Sequence, residues 1–153
     1  MDFVEKPLRI CYTLNMKNDT EVSLEFASDL KYTQFCVLIL GFLKTILKIN
    51  EDDFFNIEIS LREVTNNAIL HGNKSDLEKK VFVKFQWDKS LLRIRIRDEN
   101  DEKVDFEKIH KKIENNDVLS YTGRGILIMK NYMDHVEFFP SEKGTEIVME
   151  KRL

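Results

Sequence analysis

Hydrophobic and polar residues alternate strictly at the start of the chain. Leu8, Ile10, Tyr12 and Leu14 interleave with Arg9, Cys11 and Thr13, and Val22, Leu24 and Phe26 interleave with Ser23 and Glu25. A period of two is the pattern of a strand with one buried face. Lys17-Asn18-Asp19 between the two runs is turn chemistry, so the pair predicts a β-hairpin.

From about Ser28 to Ile49 the period becomes helical. Phe35, Leu38, Ile39, Phe42, Ile46 and Ile49 form one stripe, with Val37, Leu40, Leu43 and Leu47 beside it. So wide an apolar arc suggests burial on more than one side. Its main reading is a central core helix, and its lesser one a partner or dimer face. Asn50 ahead of Glu51, Asp52 and Asp53 marks a helix start, where the amide caps free N–H groups and the acids meet the positive end of the dipole. That second helix is expected to run to about His71 and stop at Gly72.

Alternation returns at Val81, Val83, Phe85 and Trp87, and again at Leu92, Ile94 and Ile96, around the turn Asp88-Lys89-Ser90. Residues 98–122 are polar and irregular, with a short helix expected near 105–114. Gly123 and Gly125 then introduce a third helix to about Met133, and two strands near 135–139 and 145–151 finish the chain. Short turns between consecutive strands predict an α/β (α+β) two-layer sandwich: a mostly antiparallel mixed sheet with helices on one face. Its other face carries Arg93, Arg95 and Arg97. That row reads as a solvated surface, or as a dock for an acidic or phosphorylated partner.

The length of 153 residues suits one domain, 1–153, and 42% hydrophobic residues supply an ordinary core. A net charge of −3 argues against a general nucleic-acid binder. Cys11 and Cys36 have no metal-ligand spacing and read as reduced thiols of a cytosolic protein. No signal peptide is expected at MDFVEKPLRI, and the longest apolar run, 35–47, is broken by Lys44 and Thr45 and is short for a bilayer. The expected location is therefore the cytoplasm, with no membrane.

The second helix ends in EVTNNAILHGN, where Glu63, Asn67 and His71 recur every four residues. With Glu63 at zero, Asn67 falls near about 40° and His71 near about 80° around the helix. Apolar residues border this strip on both sides, so its polar groups need partners, either neighbouring loops or a bound ligand. Asn67 offers a neutral oxygen suited to magnesium, and Glu63 a base for a water or hydroxyl. Asp98, at the end of a strand, is placed to accept from the amino group of adenine. Gly123 and Gly125 at a helix start suit phosphates, and Thr145 offers a hydroxyl to the same pocket.

In this order the segments resemble the ATP-binding fold shared by gyrase, Hsp90, histidine kinases and MutL, the GHKL type. EVTNNAILHG resembles its N box, RDEN its first glycine box, TGRGILIM its second and GTE its threonine box. The resemblance runs from about residue 8 onward. It is nearest to the small bacterial anti-sigma-factor serine/threonine kinases, which also match in length and in the segment MKNYMDHVEF.

That resemblance implies ATP and Mg²⁺ as cofactors, with Asn67 as the magnesium ligand and Glu63 as general base. It implies that Asp98 reads adenine and that Gly123, Arg124, Gly125 and Ile126 contact the phosphates. Thr145 backs the adenine side, and His71 stands near the nucleotide. The first glycine box departs from Asp-x-Gly-x-Gly, with Asn100 and Glu102 at the glycine positions. Asparagine tolerates positive φ, so a turn at Asn100 remains compatible with the fold.

The implied function is an anti-sigma kinase that phosphorylates an anti-anti-sigma (STAS-type) protein, holds a sigma factor, does not touch nucleic acid directly and is a possible homodimer. A non-catalytic, nucleotide-gated binding module is the alternative. A detached catalytic domain of a histidine-kinase pathway is a third reading.

Overall fold

The computed structural model describes residues 8–14, 20–100 and 121–153, except the side chains of 12–14 and 121–124. The expected short helix near 105–114, together with Glu102, lies outside the described residues. Strands β1 (Arg9–Leu14) and β2 (Thr20–Ala27) form the hairpin read from the alternation. A 3₁₀ turn, Leu30–Tyr32, leads into helix α1 (Thr33–Leu47), followed by α2 (Glu51–Asn67) and a π-helical turn, Ala68–Gly72. Strands β3 (Lys80–Trp87) and β4 (Leu91–Arg97), helix α3 (Tyr121–Tyr132), and strands β5 (His135–Ser141) and β6 (Gly144–Arg152) complete the order.

The strands run β1-β2-β3-β4-β6-β5 across one six-stranded sheet. Every described pairing is antiparallel, so the sheet is not mixed as expected. The hairpin turns explain β1-β2, β3-β4 and β5-β6, and α3 returns the chain so that β6 also runs against β4. Leu24, Phe26, Val83, Phe85, Ile94 and Ile96 project from one sheet face into the core. Ile57, Leu61 and Val64 of α2 and Ile126 and Met129 of α3 meet them there.

Helix α1 corrects the sequence reading. Its core side is Cys36, Val37, Leu40 and Leu43, whereas Phe35, Leu38, Phe42 and Ile46 of the expected stripe are exposed. The apolar arc is wide because the helix carries a core face and a second, outward apolar face. By length and composition Leu30–Leu47 could cross a bilayer. In the fold its inner side is a layer of the core.

Polar contacts fix the helix ends. The Asn50 side chain accepts from the Asp53 amide at 2.9 Å, as the capping pattern predicted. Lys151 Nζ, on the core side of β6, lies 3.1 Å from Asp53 Oδ1 and donates to the Tyr132 carbonyl at 3.2 Å. One cation thereby ties the start of α2 to the end of α3.

Candidate functional site

The polar strip of α2 sits where the helix changes pitch. Asn67 Nδ2 donates to Glu63 Oε1 at 3.3 Å, so acid and amide partner each other, in addition to the loops or ligand that the sequence reading offered them. This bond turns Asn67 Oδ1 away from the carboxylate. Beyond Asn67 the helix widens: the Asn73 amide reaches back five residues to the Ala68 carbonyl at 2.8 Å. Such π turns are frequent at functional sites. The wider turn changes the pitch of the following residues, and His71 on it is exposed.

Asp98 follows the last residue of β4 and is 7% exposed. Its Oδ1 accepts from the amides of Thr145 at 2.8 Å and Asn100 at 3.0 Å. The Asp98 amide itself donates to the Thr145 carbonyl at 3.2 Å. Asn100 and Thr145 are both buried, so Asp98 and Thr145 of the expected adenine side come together with Asn100 of the first glycine box. Burial pushes the Asp98 carboxyl above its ordinary value of 3.8, against the pull of those two amides and of Arg97 and Lys79.

Three glycines enclose these groups because a side chain would not fit. A Cβ on Gly72 would overlap Asp98 Oδ2 and lie 2.8 Å from its Cγ. At Gly144, with φ of +129°, it would lie 2.8 Å from the Asp98 carbonyl carbon. The third, Gly125 of α3, faces the other pair: its Cβ would stand 2.8 Å from Glu63 Cγ and 2.9 Å from Asn67 Nδ2. The second glycine box thus meets the N box through the α-carbon of Gly125, with Ile126 buried beside it.

One expectation changes here. Helix α3 begins at Tyr121, so Gly123 and Arg124 lie in its first turn and the two glycines do not precede it. Gly125, inside the helix, serves close packing instead. The Arg124 side chain lies outside the described residues.

Periodicity does not mark Asn73, which holds the site together. Its buried side chain donates to Ser28 Oγ and to the Lys80 carbonyl, both at 2.8 Å, and accepts from the Glu99 amide at 2.8 Å. Glu99 in turn accepts from the Lys80 amide at 2.6 Å. The end of the π turn, the start of β3 and the Asp98-Glu99 corner are therefore one polar joint. An amide directly after the helix-stopping Gly72 was the only local signal for it.

Among the described residues no cluster of three or more His, Cys, Asp or Glu side chains could cage a metal. Magnesium does not require one, since it usually keeps waters and phosphate oxygens beside one or two protein ligands. The free oxygen of Asn67 suits that role.

An antiparallel sheet covered on one face by helices, with an acid–amide helix and a buried strand-end aspartate, defines an ATPase-type α+β sandwich. The chain belongs to the histidine kinase-like ATPase domain family, whose profile matches residues 27–151, and an ATPase domain implies ATP binding. Among its relatives, the anti-sigma F factor of Bacillus subtilis is 30% identical over 140 residues, 90% of this chain and 94% of the relative. The anti-sigma F factor of Bacillus velezensis is 29% identical with the same coverage. That of Halalkalibacterium halodurans is 26% identical over 135 residues, 87% of this chain and 92% of the relative.

Proposed function

We propose that this chain is an ATP-dependent serine/threonine protein kinase that also restrains a sigma factor, and that its substrate is a serine of an anti-anti-sigma (STAS-type) partner. The observation that carries the reading is the convergence of Glu63, Asn67 and Gly125 on one side and Asp98, Gly72 and Gly144 on the other. It occurs in a chain similar along 90% of its length to a protein named anti-sigma F factor.

When bound, ATP with Mg²⁺ supplies the transferable phosphoryl group and its charge neutralisation. The residues then divide the work. Asp98, held by the Thr145 and Asn100 amides, is oriented to accept from the adenine amino group. Asn67 would hold the metal through its side-chain oxygen, while its amide nitrogen steadies Glu63. Glu63 takes the proton of the attacking serine hydroxyl. Residues Gly123 to Ile126 form the phosphate side, and His71 stands at the exposed end of the π turn.

A sigma-factor antagonist works in the cytoplasm. The exposed apolar row Phe35, Leu38, Phe42 and Ile46 supports a homodimer.

The test has two stages. Calorimetry should show magnesium-dependent ATP binding by the native chain, lost in Asn67→Ala. Glu63→Gln should keep that binding and abolish phosphoryl transfer to the partner. Transfer by Glu63→Gln would refute the general-base role.

The second reading, a non-catalytic nucleotide-gated module, draws on Asn100. It fills a glycine position and is buried with its amide on Asp98. Nucleotide binding without transfer by the native chain to its own partner would select it.

A further inference from the structure

Lys84 and Arg95 stand directly opposite each other across β3 and β4, on the sheet face turned away from the helices. Like charges so placed destabilise an antiparallel pair. Lys84 leans to Glu21, 2.9 Å away on β2. Arg95 reaches Glu146 only at 3.8 Å through Nη1, and its Nε is buried without a hydrogen-bond partner among the described residues. Its neighbour Arg93, by contrast, is closed by Glu150 at 2.6 Å. Arg97 stacks its guanidinium 4.1 Å over the Phe82 ring, which leaves its donors at the edge.

A groove of about 330 Å³ runs along these residues, with Arg9 of the edge strand β1 also lining it. Its charged lining is Arg9, Lys84, Arg95 and Arg97 against Glu25 and Glu146, and Glu25 already accepts from Lys80. The groove is therefore basic on a chain whose net charge is −3.

We infer that this groove docks an acidic segment of a protein partner in extended conformation, with carboxylates at alternate positions facing Arg95 and Arg97. An extended chain repeats its same-face side chains every two residues, about 6.6–6.8 Å, which is also the repeat of Arg95 and Arg97 along β4. A carboxylate matches the guanidinium fork of Arg95, whose side chain is 41% exposed and closed only loosely by Glu146. Single-stranded nucleic acid fits less well. Base stacking needs an open aromatic face, and Arg97 covers that of Phe82. The groove lies on the face opposite the helices, so this inference does not rest on the nucleotide reading.

The exposed thiol of Cys11 lines the groove and reports its occupancy. Cys36 is buried, with its thiol pushed up to about 12 by burial, so alkylation reads Cys11 alone. The full chain is treated with N-ethylmaleimide in the presence of an octapeptide alternating glutamate and threonine. Alkylation should slow about threefold at a peptide concentration twice its Kd. Protection should vanish in Arg95→Gln/Arg97→Gln, and weaken in Arg9→Gln, which changes only the edge strand. An unchanged melting curve shows that a variant is folded. Absence of protection at about 1 mM peptide, a concentration at which even a weak site fills, overturns the inference. Equal protection by the glutamine–threonine peptide, or by an oligothymidylate of the same charge, overturns it as well.

Discussion

Gly72, at the end of the π turn, packs its α-carbon against the carboxylate of Asp98, so closely that a methyl group there would overlap Oδ2. Two sequence signals that read separately, a helix stop and a strand-end acid, are one contact in the fold. Gly72→Ala forces Asp98 or the turn to shift, at about 1–3 kcal/mol of stability, and weakens ATP binding in parallel. Gly41 of α1 is the control, since a Cβ there meets nothing within 4 Å. Gly41→Ala should raise stability by about 0.5–1 kcal/mol. Chemical denaturation and calorimetry of the two variants check both expectations, and equal effects would refute the contact.

Asp98 makes nucleotide binding pH-dependent. Burial raises its folded-state pKa above the unfolded value near 3.8. Its contribution to stability is therefore fully present below that unfolded value and is lost as pH rises through the folded one. Binding runs the other way, because the ionised carboxylate is the better acceptor. ADP affinity of the native chain should fall as pH drops through the raised pKa. Asp98→Asn should bind about 10- to 100-fold more weakly at neutral pH and lack that step. The difference between the two titrations isolates this group from the phosphates.

Asn73 touches no expected ligand atom, yet its loss should reach the site. Asn73→Ala leaves Ser28, the Lys80 carbonyl and the Glu99 amide without their present partner, at about 2 kcal/mol or more. A urea titration checks the stability. Retained nucleotide affinity in the variant under native conditions would show that the Asp98 corner holds without it.

The outward face of α1 carries the homodimer prediction. Phe42 is 60% exposed and Leu38 59%, so neither supports the core. Phe42→Glu should leave the melting temperature of a dilute monomer unchanged and shift sedimentation from dimer to monomer. A native chain that sediments as a monomer at high concentration would refute the dimer.

The alternating runs around Leu24, Phe85 and Ile94 were legible as strands because each has one buried face. Asn50 was legible as a cap because the motif is local. The spacing of Glu63 and Asn67 likewise placed them on one side of a regular helix, while their bond to each other came only with the structure. The π turn that carries His71 was not legible, since nothing in the local composition announces a change of pitch.

Helix α1 shows a different limit. The arc from Phe35 to Ile49 established that much apolar surface exists, but not which side meets the sheet. Packing decided that by placing Cys36, Val37, Leu40 and Leu43 inward.

By itself, then, the sequence determined the elements, their order, and the residue types that ATP chemistry requires, because periodicity, capping and short motifs act within a few residues. Only the tertiary structure decided what those residues touch. Gly72 and Gly144 close on Asp98, Gly125 closes on Glu63 and Asn67, and Asn73 joins three distant segments. Those contacts span tens of residues. They follow from how the sheet and helices pack, which no local pattern encodes.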